Sequence, residues 1–223
     1  LDRQIAEVRR RLENPDPDVV AEWITRQRAD LAARGTDLEL HPVALAGIST
    51  PNAGSGFAIE EARLVRISKP QGLVAYDVMA TLPPTEQPIT GLRIIFHPGT
   101  KTPGQGRGYG KVADLDMAPE ARQEAGDAGT FVLSALSVST GEAPLTQVNL
   151  HELIPFQRIT ASSWLPNYRP ENIADTRRDS GWSPSPRDAG PVHVTVTFDE
   201  PVDPATTPHL TAQFNFGYGQ TMV

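Results

Sequence analysis

The feature that most constrains the fold is a period of two in the hydrophobic pattern, which sets in after Gly35. Apolar residues alternate with mostly polar or small ones over Val74–Thr81 and again over Val192–Phe198. Such alternation is typical of strands that bury one face. The joints between these patterns carry many of the chain's 21 prolines and 18 glycines. We therefore predict a mainly β protein, with an antiparallel sandwich or jelly roll over residues 36–223.

Residues 1–35 follow a helical pattern instead. Two apolar stripes flank the break "NPDPD", the second of them containing Trp23. Asp16 can cap the free amides of a helix, and Pro17 suits its first turn, where no amide hydrogen is required. The pattern predicts an N-terminal helical hairpin or kinked helix whose apolar stripe packs against the sandwich.

Composition excludes several classes of partner. The formal net charge is -7, with 27 acidic side chains against 20 basic ones. A chain of that charge with no basic tract repels polyanions, so we expect no nucleic-acid partner. The longest apolar runs are far shorter than the ~20 residues of a membrane-spanning helix, so we expect no membrane span. The absence of cysteine excludes disulfides, thiolate metal sites and covalent haem attachment in this chain.

The stretch "TPGQGRGYGKV" places four glycines on alternate positions before Lys111. A phosphate-binding loop needs a serine or threonine beside the lysine and a helix after it, whereas Val112 follows here and no helical pattern begins. We interpret these glycines as structural, because glycine permits positive φ angles and close backbone approach. "HELIP" at His151 lacks the second histidine of a zinc-protease helix. We predict no turnover of glycosides, esters or phosphoesters by this chain.

Two stretches resemble a known family. "TGLRIIFHPGTKTPGQGRGYGK" and "GTFVLSALSV" are similar to the T-G-L-R, G-x-G-R and F-V-L-S segments of the β-sandwich region in planctomycetal-type cytochrome C proteins. The stretch from Ile159 to Phe198, with "TASSW" and "DSGW", resembles the same region and also the galactose-binding, discoidin-like jelly rolls. The resemblance covers most of residues 70–223. It implies an exported, periplasmic or cell-surface bacterial protein whose haem-binding region lies elsewhere, and a sandwich truncated at its C-terminal end.

Jelly rolls of this kind often bind glycans through an aromatic platform beside a few fixed polar groups. Residues of these two types share one connection in this sequence: Trp164, Asn167, Tyr168, Arg178 and Trp182. Trp182 has a second interpretation, as a core residue beneath the loop. Asp175 and Asp179 are candidate calcium ligands, and we expect no other cofactor.

The sequence therefore predicts a non-catalytic, carbohydrate-binding accessory module of a larger protein. The alternative is a structural module that docks neighbouring domains of the same polypeptide and has no ligand of its own. Glycan binding predicts an exposed aromatic groove at one end of the sandwich. Docking predicts an apolar patch on one side, near the N-terminal helix or an unpaired last strand.

Overall fold

The computed structural model describes residues 17–33, 39–51, 56–69, 74–99, 108, 110–111, 129–146, 149–175, 177, 180–185, 188 and 190–216. The chain divides into two units, Leu1–His41 and Pro42–Val223. The predicted domain boundary at residue 35 lies outside the described residues.

The first unit contains helix α1, Pro17–Ala33. It begins at the proline that the sequence places in the first turn. Arg26 donates a hydrogen bond of 2.8 Å to Glu22 one turn earlier, an arrangement typical of a helix surface. The first predicted helix, Asp16 and the side chain of Trp23 lie outside the described residues. In the part of the chain that the structure covers, no helix has both the length and the apolar character needed to cross a bilayer.

The second unit is built from strands. Within the described residues they are β1 (Ala44–Ser49), β2 (Gly56–Glu60), β3 (Leu64–Lys69), β4 (Val74–Thr81), β5 (Ile89–Phe96), β6 (Gly110–Lys111), β7 (Gly129–Thr130), β8 (Leu133–Gly141), β9 (Glu152–Leu153), β10 (Phe156–Ala161), β11 (Val192–Val202) and β12 (His209–Phe216). A five-stranded sheet has the order β1-β4-β12-β8-β9, and a three-stranded sheet has the order β10-β11-β5. Strands β2 and β3 form a separate hairpin, and β6 pairs with β7. All pairs are antiparallel, which confirms the predicted mainly β sandwich.

The core lies between the two larger sheets. In β11, Val192, Val194 and Val196 are buried, and the residues between them are only half-buried, as the period of two predicts. Strand β12 lies between β4 and β8, so the expectation of an unpaired last strand is wrong. Phe214 and Phe216 on β12 are buried in the same core, which accounts for the central position of this strand.

The described end of the glycine-rich stretch forms a short strand. Gly110 and Lys111 form β6 and pair with Thr130 and Gly129 of β7. A Cβ atom at Gly108 would lie 2.3 Å from the carbonyl oxygen of Thr130, a distance at which no side chain fits. Close backbone approach therefore explains the glycine at this position, in agreement with the structural interpretation.

Candidate functional site

The predicted ligand residues lie in the connection from β10 to β11, residues 162–191, called here the β10–β11 loop. Trp182 is 0% exposed, and its ring centroid lies 5.5 Å from those of both Phe96 and Phe131. Its Nε1 donates a hydrogen bond of 2.9 Å to the carbonyl oxygen of Ser163 across the loop. Trp182 is thus a core residue beneath the loop, the second of its two interpretations, and its indole offers no surface for a ligand.

Tyr168 is also buried, at 1% exposed. It packs with Val132 and Leu165 in a small cluster of its own, and its carbonyl oxygen accepts a hydrogen bond of 3.4 Å from the amide of Ser183. The expectation that Tyr168 stacks on a ligand is therefore wrong. The physical reason is that a long connection folding back on the sandwich needs apolar packing of its own.

A glycine precedes Trp182 because the loop meets β8 at this point. Leu133 and Trp182 exchange two backbone hydrogen bonds of 2.9 Å each. A Cβ atom at Gly181 would lie 2.6 Å from the carbonyl oxygen of Leu133. The "GW" pair of the sequence is therefore a docking point of the loop on the five-stranded sheet.

Asp175 serves as a loop-ordering carboxylate. Its Oδ1 accepts a hydrogen bond of 3.0 Å from the amide of Arg177 and one of 2.6 Å from the hydroxyl of Ser180. This is the aspartate-turn geometry, in which the side chain satisfies the backbone two residues on. Asp179 and Arg178, the other two charged candidates, lie outside the described residues. Among the residues that the structure covers, no group of three or more histidine, aspartate and glutamate side chains is arranged to hold a metal ion.

Two of the predicted ligand residues remain on the surface. Trp164 is 48% exposed, and Asn167 is exposed three residues later. The backbone beside them is fixed, since the amide of Leu165 donates a hydrogen bond of 3.0 Å to the carbonyl oxygen of Ser183. Of the predicted aromatic groove, one exposed indole therefore remains among the described residues.

His151, the histidine of "HELIP", has a structural role. One ring nitrogen, Nε2, lies 2.8 Å from the carbonyl oxygen of Ala143, and the other, Nδ1, lies 3.2 Å from the hydroxyl of Thr211. The ring therefore ties the segment before β9 to the end of β8 and to β12. Both nitrogens are occupied, which leaves neither to act as a base on a substrate.

A second region was not found by sequence reasoning. Between β1 and β4 on one side and β5 on the other lies a cavity of about 710 Å³, called here the intersheet crevice. Its walls are mainly aliphatic and aromatic side chains of the two inner sheet faces, and the β2–β3 hairpin also lines it, from Arg63 to Ser68. Leu45 and Ile48 both line it, although they are three positions apart, because β1 has a register irregularity between Leu45 and Gly47. Hydrophobic periodicity shows which residues face the interior. It does not show whether two facing sheets have the same number of strands, and a difference leaves part of the larger sheet uncovered.

The rim of the crevice is basic. Its basic residues are Arg63, Arg66, Arg93 and His97, and no described aspartate or glutamate lines it. Arg66 makes two hydrogen bonds, of 2.5 and 2.8 Å, to the carboxylate of Glu60. These bonds hold the pKa of Glu60 below its ordinary value.

Arg93 contributes to the rim from the outer face of β5. Its Nε donates a hydrogen bond of 3.0 Å to the hydroxyl of Thr195 on β11. His193 lies two residues before Thr195 on the same strand, and burial together with the charge of Arg93 lowers the pKa of this histidine. Both effects disfavour the imidazolium form.

Comparison of the chain with known protein families, with curated proteins and with solved structures finds no match. The resemblance to planctomycetal-type cytochrome C proteins and to discoidin-like jelly rolls therefore stays a prediction.

Proposed function

We propose that this chain is a non-catalytic interaction module of a larger exported bacterial protein, and that it docks an apolar surface of a neighbouring domain in the intersheet crevice. The observation that carries the proposal is the crevice itself. At about 710 Å³ it lies within the size range of protein ligand sites. Removing an apolar surface of that extent from water lowers the free energy of a complex with a partner that covers it.

The half-buried residues of β5 support the same function. Leu92, Ile94 and Phe96 point to the inner face, because they pair with the buried valines of β11. In a closed sandwich these positions would be covered as completely as those valines are. Their partial exposure gives a partner a surface to cover.

The non-catalytic part of the proposal rests on how the candidate groups are used. His151 ties three segments together, and Asp175 orders the β10–β11 loop. A general base needs a nitrogen or an oxygen directed at a substrate, and these groups direct theirs at the protein.

The test is the binding of Nile red, a neutral dye whose emission rises in apolar surroundings. Wild-type protein should raise its emission, and Ile94→Glu should lower that signal by about threefold or more, because the carboxylate is placed inside the crevice. The matched control is Leu153→Glu on β9, where the leucine is exposed and at the far edge of the five-stranded sheet. Far-UV circular dichroism checks that each variant is folded. Equal dye signals from wild type and Ile94→Glu would refute the proposal.

A second candidate function is favoured by one observation, the exposed indole of Trp164 beside Asn167. A single exposed stacking platform supports weak saccharide binding, with a dissociation constant on the order of 1 mM, or about 4 kcal/mol. A glycan array followed by titration calorimetry, with and without calcium, tests it. Trp164→Ala should abolish the heat of binding. A glycan that binds Trp164→Ala as well as the wild type would dismiss this function.

A further inference from the structure

The crevice opens beside a strand edge. Strand β5 is at the end of the order β10-β11-β5, so one of its two edges faces away from β11. No other strand of the described residues pairs with that edge. In an antiparallel sheet, the backbone N–H and C=O groups of alternate residues on such an edge point outward. The outward backbone N–H and C=O groups of β5 therefore lie beside the apolar walls of the crevice.

The edge of β5 that faces away from β11 can accept one more strand. A strand added to β5 would lie about 4.8 Å from it and would direct every second side chain to the inner face of the sheet. Those side chains would enter the intersheet crevice next to Leu92, Ile94 and Phe96, opposite Leu45 and Val78. The opposing sheet has five strands and this sheet has three, so the added strand would cover inner surface of the wider sheet.

The positive charge of the rim favours acidic residues at the two ends of such a segment. Arg63 lies in the turn between β2 and β3, and Arg93 lies on β5. Neither has an acidic partner among the described residues, whereas Arg66 is bound to Glu60. The turn is anchored at the crevice, because the amide of Leu45 donates a hydrogen bond of 2.8 Å to the carbonyl oxygen of Ala62. Two unneutralised guanidinium groups beside an apolar floor favour acidic residues at the ends of the occupant.

We infer that the occupant is an extended segment of a partner domain that adds to β5 as a fourth strand. Alternate branched aliphatic side chains of the segment fill the crevice, and its terminal acidic residues meet Arg63 and Arg93. This is strand addition, in which backbone hydrogen bonds give affinity and alternate side chains give specificity. The inference rests on the proposed docking function and specifies the chemistry of its partner.

The probe is the peptide acetyl-Asp-Val-Thr-Val-Thr-Val-Asp-amide, whose valines face the crevice while its aspartates share the outer face with Arg93. It is titrated into the ¹⁵N-labelled chain with amide exchange followed by NMR. At saturation, exchange of the outward amides of β5 should slow by about tenfold or more, while the amides of β10, the other edge of the same sheet, should keep their rates. A peptide of the same composition with its valines consecutive should bind more weakly, because alternation is lost. Protection on β10, or equal binding of both peptides, would overturn the inference.

Charge reversal tests the rim. Arg63→Glu should weaken the acidic-ended peptide by about tenfold, because an attraction becomes a repulsion. Arg158→Glu on β10 is the matched control and should leave the affinity within about twofold. Arg63 is exposed in a turn, so this variant should fold. If both variants bound the peptide equally well, the rim would not select acidic ends, and that part of the inference would be wrong.

Other occupants give different results. Displacement of Nile red by dodecanoate but not by the peptide would replace the strand with an anionic amphiphile. Dimers in analytical ultracentrifugation that dissociate on Ile94→Glu would replace it with a second copy of the chain. Nile red binding that neither peptide nor amphiphile displaces would overturn strand addition and leave the docking function standing. If the wild-type protein bound neither Nile red nor the peptide, both the docking function and strand addition would be overturned.

Discussion

Replacing Trp182 with alanine should cost this fold a large share of its stability. The side chain is fully buried and packs against two phenylalanine rings. Truncating a buried tryptophan to alanine costs about 3 to 5 kcal/mol. The indole also satisfies the carbonyl oxygen of Ser163, which is half-buried, and leaving that acceptor unpaired costs about 1 kcal/mol. We expect the free energy of unfolding to fall by about 5 kcal/mol, against a total of about 5 to 15 kcal/mol for a typical domain.

The assay is urea unfolding followed by far-UV circular dichroism. With a denaturant slope of about 2 kcal/mol per molar urea, a loss of 5 kcal/mol lowers the midpoint by about 2.5 M. Trp182→Phe should keep most of the ring packing and lose the indole hydrogen bond, so it should cost about 1 to 3 kcal/mol. The matched control is Trp164→Ala, which removes the same side chain from an exposed position and should cost under about 1 kcal/mol.

The order of the unfolding midpoints of these variants tests the reasoning. If Trp164→Ala lowered the midpoint as much as Trp182→Ala, the assignment of one indole to the core and the other to the surface would be wrong. If Trp182→Phe were as damaging as Trp182→Ala, the hydrogen bond to Ser163 would outweigh the ring packing, against the magnitudes given above.

Three further predictions follow from single contacts. Gly181→Ala should cost about 2 to 4 kcal/mol in urea unfolding, whereas Gly190→Ala, whose Cβ atom would meet no atom within 4 Å, should cost under about 0.5 kcal/mol; equal costs would contradict the close approach. The pKa of the Glu60 carboxyl, measured by NMR titration, should lie below that of an ordinary glutamate, and Arg66→Gln should raise it; an unchanged pKa would exclude the hydrogen bonds as the cause. The pKa of His193 is lowered in the fold by burial and a nearby arginine, so its neutral form stabilises the fold above about pH 6.5 and this stability is lost as the pH falls through the folded pKa. Stability measured from pH 8 to 5 should fall less steeply in His193→Gln, and parallel curves would refute the burial.

The mainly β architecture could be predicted from the sequence because strand burial leaves a local signature. Each residue of a strand faces opposite to its neighbours, so a period of two over Val74–Thr81 is sufficient to identify a buried face. The start of helix α1 at Pro17 was predictable for a similar reason, since the preference of proline for the first turn is a property of its own backbone.

Whether each loop residue is buried or exposed was not predictable in the same way. Tyr168 lies in a turn-like stretch, a context that favours exposure, yet it is buried with Val132, a residue 36 positions earlier in the chain. Such a contact depends on how the whole β10–β11 loop folds back, and a local pattern does not encode it. The width of each sheet is likewise set by long-range pairing, which is why the intersheet crevice left no trace in the hydrophobic periodicity.

One residue connects the two regions on which function has been argued. Phe96 lines the intersheet crevice, and its ring centroid lies 5.5 Å from that of Trp182 and 4.8 Å from that of Phe131. A change at Trp182 therefore alters the support of the crevice wall as well as the floor of the loop. Loss of binding in a Trp182 variant could not be assigned to either region. Trp164, on the surface of the loop, and Arg63, on the rim of the crevice, lie outside this aromatic cluster, so paired substitutions at those two positions separate a saccharide site from a docking site.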